Sequence, residues 1–223
     1  MQVWALFWHI RTLTEQPIAL GLVGLARIAP IIVFSLIGGS LADVVNRRTV
    51  MFYTQTVMAL TALALFYLTQ GGQIALWHMY LLTALQAVAV AFDSPARQSL
   101  VPNLVPAKDL PNAFSMTSIA GQTGAVLGPA LSGLVIAYWG QSATYLLNAL
   151  SYSGVFVALI AMGPVAQQIA QTGQRAVSLT AIREGISFII NQPIILSTML
   201  IDFCATFFSA ASTLMPIVAR DVL

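Results

Sequence analysis

The stretch GGSLADVVNRR, residues 38–48, closes one long apolar run and stands just ahead of another. It places an aspartate and two adjacent arginines where charge is otherwise scarce. Of the 223 residues, 58% are hydrophobic and 7% are charged, against about 25% charged in an ordinary soluble domain. That is too little charge to clothe a soluble surface of this size, and a mean hydropathy of +0.86 agrees. The chain reads as an integral membrane protein. The few charges between its apolar runs then report which way it faces.

A helix needs about 20 apolar residues to cross the hydrocarbon core. Six runs qualify, at 18–41, 49–69, 75–94, 112–138, 142–163 and 194–217. They are continuous rather than alternating, which selects helices over barrel strands, and a helix satisfies its own backbone in lipid. Residues 1–13 are apolar and aromatic but reach only about 20 Å as a helix. They are expected to be part of a first transmembrane helix, with the chain cut at both ends.

Arginine and lysine sort the connections. Arg47 and Arg48 precede the second run, Arg97 and Lys108 precede the fourth, and Arg175 and Arg183 precede the sixth. The connections at 14–17, 70–74 and 139–141 hold neither residue type, only Glu15. Such alternation follows the positive-inside rule. It predicts a multi-pass protein of the inner cell membrane with its basic loops in the cytoplasm.

The longest connection, 164–193, opens with a polar segment. It continues as SLTAIREGISFIINQP, with Ile182, Ile186, Ile189 and Ile190 on one helical face. This reads as an amphipathic helix on the membrane surface, or equally as a linker helix packed on the bundle ends. The expected organisation is a transmembrane repeat at 1–163, a cytoplasmic linker at 164–193, and the first helix of a second repeat at 194–223. Six helices, a linker and a new start form the layout of one half of a two-repeat transporter. The fold class is therefore all-α, a polytopic helical bundle whose partner is the lipid bilayer.

Within the opening stretch, Gly38 and Gly39 are expected to end a helix. Asp43 could accept from helix N-terminal amides, and Asn46 tolerates a left-handed backbone at a tight reversal. Arg47 and Arg48 could meet carboxylates or lipid phosphates.

Two charges fall inside apolar runs, Arg27 and Asp202. A charge at that depth is costly unless paired or wetted, so each is a functional candidate by default. Arg27 suits an anionic or catecholate-like substrate, or a pairing with Asp202 as a cavity closes. Asp202 suits a proton-titrating carboxylate. A fixed ion pair, or snorkelling of Arg27 to backbone carbonyls, would serve structure alone. Lesser candidates are His9, Arg11, Gln86, Gln122 and Asn148. Trp4, Phe7 and Trp8 could line a cavity or face lipid, whereas Trp77, Tyr138 and Trp139 at run ends read as interfacial anchors. Ala120, Gly124, Gly128 and Ser132 form a small-residue stripe that admits a close helix neighbour, and Pro129 adds a bend.

Other function classes find no support. A glycine-rich phosphate loop and a nucleophile elbow are both missing, and no basic run tracks nucleic acid. The lone Cys204 excludes an internal disulfide and reads as a small buried thiol. No catalytic residue, metal or cofactor is expected, and the chain is not read as an enzyme.

The opening stretch resembles the signature loop of the major facilitator superfamily, with Gly39, Asp43, Arg47 and Arg48 on the pattern and Asn46 in place of a second glycine. FDSPARQSLVPNLVPAKDLPNAF (92–114), IALGLVGLARIAP in the second helix and MPIVARDVL at the chain's end resemble the branch of enterobactin exporters and macrolide efflux proteins. The resemblance implies a gate on the cytoplasmic side in which Asp43 pairs with Arg97, with Asp93 as a competitor for that arginine. GAVLGPALSG (124–133) resembles the fifth-helix antiporter motif through Gly124, Gly128, Pro129 and Gly133. The fourth helix lacks the intramembrane arginine of many proton-coupled members, which shifts the coupling role toward Asp202.

The resemblance implies a secondary exporter that moves an amphiphilic small molecule, a siderophore or drug, by alternating access. Protons and a missing C-terminal half would be its partners. The alternative is a truncated half that serves only as a non-transporting membrane subunit or interaction partner.

Overall fold

The computed structural model describes residues 1–163, 187–188 and 190–209. The chain divides into two units, Met1–Gln171 and Thr172–Leu223. Helices make up the first unit: α1 (Gln2–Leu13), α2 (Pro17–Val44), α3 (Arg47–Gln70) and α4 (Leu76–Leu104), then a short 3-10 turn at Ala107–Asp109. The next helical stretch, Leu110–Ala161, is broken by Gly140, whose φ of 80° and ψ of 177° are not helical. We number its two parts α5 (110–139) and α6 (141–161). In the second unit, α7 runs over Pro193–Ser209.

Among the described residues, four stretches are long and apolar enough to cross a membrane: Pro17–Ser35, Arg47–Gln70, Leu76–Leu104 and Ala107–Ala161. The last would reach about 80 Å if straight, more than twice the hydrocarbon thickness. One left-handed glycine resolves the problem by dividing it in two. Tyr138 and Trp139, next to this break, and Trp77, near the start of α4, are all exposed, as interfacial anchors would be.

The first five expected spans recur with shifted ends, and the sixth is described only as far as Ser209. The largest shift is in α4, which was expected to stop at 94 and continues to Leu104, through Pro95 and Pro102. Packing explains the extension. Ala96 and Leu100 are buried against Val50 and Met51 of α3 and Leu159 of α6, so the extra turns belong to the core.

Small residues let α4 sit between two neighbours. Thr83, Ala87 and Ala91, one turn apart, are buried on the side of α2, while Ala89, Asp93 and Ala96 are buried on the side of α3. Where lipid is as apolar as leucine, close backbone packing of this kind holds helices together. The closest approach is at Gly38. A Cβ there would lie 2.4 Å from the backbone oxygen of Ala91. Pro95 follows Ala91 by four residues and has no N–H to offer that carbonyl. The helix α4 thus presents a freed oxygen where α2 presents a bare Cα, an arrangement suited to a weak Cα–H···O contact.

This contact corrects two expectations. Gly38 and Gly39 do not end α2, which runs on to Val44. Asn46 is not left-handed: at φ −58° it caps α3, its side chain accepting from the amides of Arg48 (3.1 Å) and Thr49 (3.4 Å). Asp43 therefore falls in the last turn of α2 and is not the cap of α3; its side chain lies outside the described residues. The linker helix expected within 164–193 also lies largely outside them, as does the extension of α7 to 217.

Candidate functional site

Two polar constellations occupy the first unit, one at the arginine-bearing end and one in the interior. At the arginine end, Arg47 and Arg48 open α3, where the helix dipole disfavours a cation. Both reach away from it to carbonyls of other helices. Nη1 of Arg47 donates to the Ser99 carbonyl at 3.0 Å, and Nε of Arg48 donates to the Leu159 carbonyl at 2.7 Å. The second bond fills a vacancy in the backbone ladder. Gly163, at φ 65°, turns its N–H to Ile160, which frees the Leu159 oxygen in the last turn of α6. An arginine on such a terminal carbonyl satisfies an orphan acceptor and complements the negative helix end.

Beneath these arginines lies Asp93, a buried carboxylate. Its Oδ1 accepts from the Thr54 hydroxyl and the Gln55 amide, both at 2.9 Å. Its Oδ2 accepts from Arg97 through Nη2 at 2.9 Å and Nε at 3.2 Å. Four charge-assisted bonds repay the desolvation of the carboxylate. The Arg97–Asp93 pair also spans the turn containing Pro95, acting as a splint where the backbone has lost a bond.

The interior constellation joins α1, α4 and α6. Gln2 donates to the side-chain oxygen of Gln86 at 2.9 Å and accepts from Asn148 at 2.5 Å. Gln86 donates to Gln2 and to the Tyr152 hydroxyl, both at 3.4 Å. Two turns along α1 from Gln2, and two along α6 from Tyr152, His9 and the Tyr145 hydroxyl lie 3.2 Å apart. Beside Gln2 and Gln86 is a cavity of about 80 Å³ whose lining also includes Thr83, Phe7, Val23 and Arg27. Arg27 is exposed and has no hydrogen-bond or ion-pair partner among the described residues.

The family described as "Transmembrane secretion effector" matches residues 1–223. The chain belongs to this family of major facilitator transporters. An uncharacterised MFS-type transporter, YfiS, of Bacillus subtilis is 28% identical over 198 residues, covering 88% of this chain and 46% of the relative. The staphyloferrin A transporter of Staphylococcus aureus is 25% identical over 159 residues, covering 71% of this chain and 39% of the relative. The chain thus spans less than half the length of these relatives. No solved structure matches it.

Within this transmembrane secretion effector chain, the candidate residues fall into separate places. Arg47, Arg48 and Arg97 gather at one end of the bundle, and Gly39 lies in the last turns of α2. Arg97 is held by Asp93, the competitor noted in the sequence; the Asp43 side chain, its other expected partner, lies outside the described residues. Arg27 joins Gln86 at the interior cavity, while Gln122 is exposed on α5. In the antiporter-like motif only Gly128 is crowded, a Cβ there falling 3.2 Å from the Met1 nitrogen, and Ser132 donates to the Met1 carbonyl at 3.3 Å. Added Cβ atoms at Gly124 and Gly133 would meet nothing, so among the described residues the stripe is used only in its second half. Pro129 is half-buried between them. Asp202 is exposed on α7, in the second unit. Cys204, expected to be buried, is exposed on the same helix; the described side chains of α7 are exposed along nearly its whole length.

Sequence reasoning missed Gln2, Thr54, Gln55, Tyr145 and Tyr152. Each is a polar residue inside an apolar run, which is the signal that did single out His9, Gln86 and Asn148.

Proposed function

We propose that the protein is a secondary active exporter of an amphiphilic small molecule, working by alternating access and coupled to protons. Residues 1–163 form the first repeat, 164–193 a cytoplasmic linker, and 194–223 the first helix of a second repeat. The protein lies in the inner cell membrane with its arginine-bearing loops in the cytoplasm.

The observation that carries this reading is Arg27, a mid-span guanidinium with no hydrogen-bond or ion-pair partner among the described residues, beside a small, mostly apolar cavity. A charge at that depth is retained for a ligand or an ion path more readily than for structure. Substrate sites of two-repeat transporters lie near the bilayer midplane at the junction of the repeats. The name of the staphyloferrin A transporter supports a siderophore-like cargo.

Gly39, Asp43, Arg47, Arg48 and Arg97 form the cytoplasmic gate, Gly124, Gly128, Pro129 and Gly133 a flexible seam, and Asp202 the proton-coupling carboxylate. Efflux from everted vesicles tests these roles. Asp43→Asn is expected to abolish efflux without loss of membrane insertion, and normal efflux would remove the gate assignment. Asp202→Asn is expected to leave any residual efflux insensitive to collapse of the proton gradient. Unchanged sensitivity would exclude it as the coupling group.

A further inference from the structure

We infer that the Arg27 cavity is a headgroup subsite for a carboxylate, and that the apolar remainder of the ligand lies outside it. The inference rests on the transporter reading above and narrows its substrate class.

The first argument is a count of donors and acceptors. Arg27 brings five N–H donors and no acceptor. Of the two neighbouring amides, Gln2 Oε1 already accepts two bonds, from Asn148 and Gln86, and Gln86 Oε1 accepts one, from Gln2. The polar residues of the lining are Arg27, Gln2, Gln86 and Thr83, and among the described residues no carboxylate lines the cavity. A ligand that completes this set must bring oxygen acceptors and a negative charge.

Size and charge then choose among oxyanions. The cavity holds about 80 Å³, roughly half the ~150 Å³ apolar cavity that accommodates benzene. A carboxylate fits, and its two oxygens match two parallel N–H groups of a guanidinium. A phosphate monoester would bring up to two negative charges against the single cation in the lining, leaving an uncompensated charge at low dielectric. One arginine neutralises one carboxylate. The remaining walls, among them Phe7, Val23 and Val90, are apolar and suit the first methylenes of an amphiphile.

The test uses the membrane protein in nanodiscs, titrated with 4-phenylbutyrate, its uncharged amide, and 3-phenylpropyl phosphate, and followed by tryptophan fluorescence. The carboxylate should bind at least 10-fold more tightly than the amide and more tightly than the phosphate. Arg27→Gln should bring the carboxylate down to the level of the amide, and Arg27→Lys, which keeps the charge without the fork, should fall between. Because Arg27 is exposed and makes no bond in the bundle, both variants should melt like the parent. Equal binding of acid and amide, retention of the preference in Arg27→Gln, or tighter binding of the phosphate would overturn the assignment. Efflux is measured on the same preparations before reconstitution. Intact efflux without carboxylate preference would sink only this inference, and carboxylate preference without efflux would sink only the transporter reading.

Discussion

Adding one methyl group at Gly38 should separate two helices, whereas the same change at Gly39 should not. The Gly38 Cβ would sit 2.4 Å from the Ala91 oxygen, 3.1 Å from its carbonyl carbon and 3.3 Å from the Phe92 Cα. All three are backbone atoms of a packed helix, so no rotamer change relieves the contact. Reaching an ordinary separation of about 3.4 Å requires α2 and α4 to part by about 1 Å (3.4 minus 2.4), and overpacking of this order costs about 1–3 kcal/mol. Helix propensity gives back roughly 0.5–1 kcal/mol, because alanine replaces glycine in a helix interior. A net loss of about 1–2 kcal/mol is expected for Gly38→Ala. Gly39→Ala, whose Cβ meets nothing within 4 Å, should be neutral or gain up to about 1 kcal/mol by the same propensity. Unfolding in mild detergent, followed by circular dichroism on both variants, reads the difference. Equal midpoints would refute the claim that the α2–α4 contact is steric and tight.

Three further outcomes follow from the same structure. Asp93→Asn keeps the shape of the side chain but replaces one carboxylate oxygen with an NH2 that faces either the Arg97 donors or the Thr54 and Gln55 donors; it should cost about 2–3 kcal/mol, read as a lowered midpoint in the same assay. Gly140→Ala has open space around the new Cβ, yet forces an alanine into a backbone region open essentially to glycine alone. It should cost about 1–3 kcal/mol, while Gly133→Ala, also uncrowded but helical, should not. Arg48→Ala removes the cap from the Leu159 carbonyl and should fray the end of α6, seen as faster hydrogen exchange at 158–163 and a loss of about 1–2 kcal/mol. Unchanged exchange would mean that water replaces the guanidinium at no cost.

The spans and their alternation were legible because each depends on local composition. A run of apolar residues forms a helix in lipid wherever its partners lie, and Gly140 falls between two runs that the sequence already separates. The end of α4 was not legible, because Pro95 and Pro102 read locally as breakers and only the burial of Ala96 and Leu100 overrides them. The caps exchanged roles for a similar reason. Asp43 and Asn46 are both good cap residues, and which one opens α3 depends on how far α2 runs, which Gly38 decides through a contact with Ala91, 53 positions away. At the site, Arg27 announced itself by its depth. Its neighbours Gln2 and Gln86 are separated by 84 positions, and no local pattern joins them.

The splinted proline gives α4 a mechanical property. Ala91, held against Gly38, lies five residues from Gln86 on one side and 13 from Leu104 on the other, or about 7.5 Å and 20 Å along the axis. With the Asp93–Arg97 bridge stiffening the turn between, α4 is a lever with its fulcrum at Ala91. Rocked as a rigid rod, it multiplies any displacement at the cavity by about 2.6 at its far tip. A shift of ~1 Å at Gln86 thus becomes ~2.6 Å at Leu104, beyond the arginines that tie the neighbouring helices together.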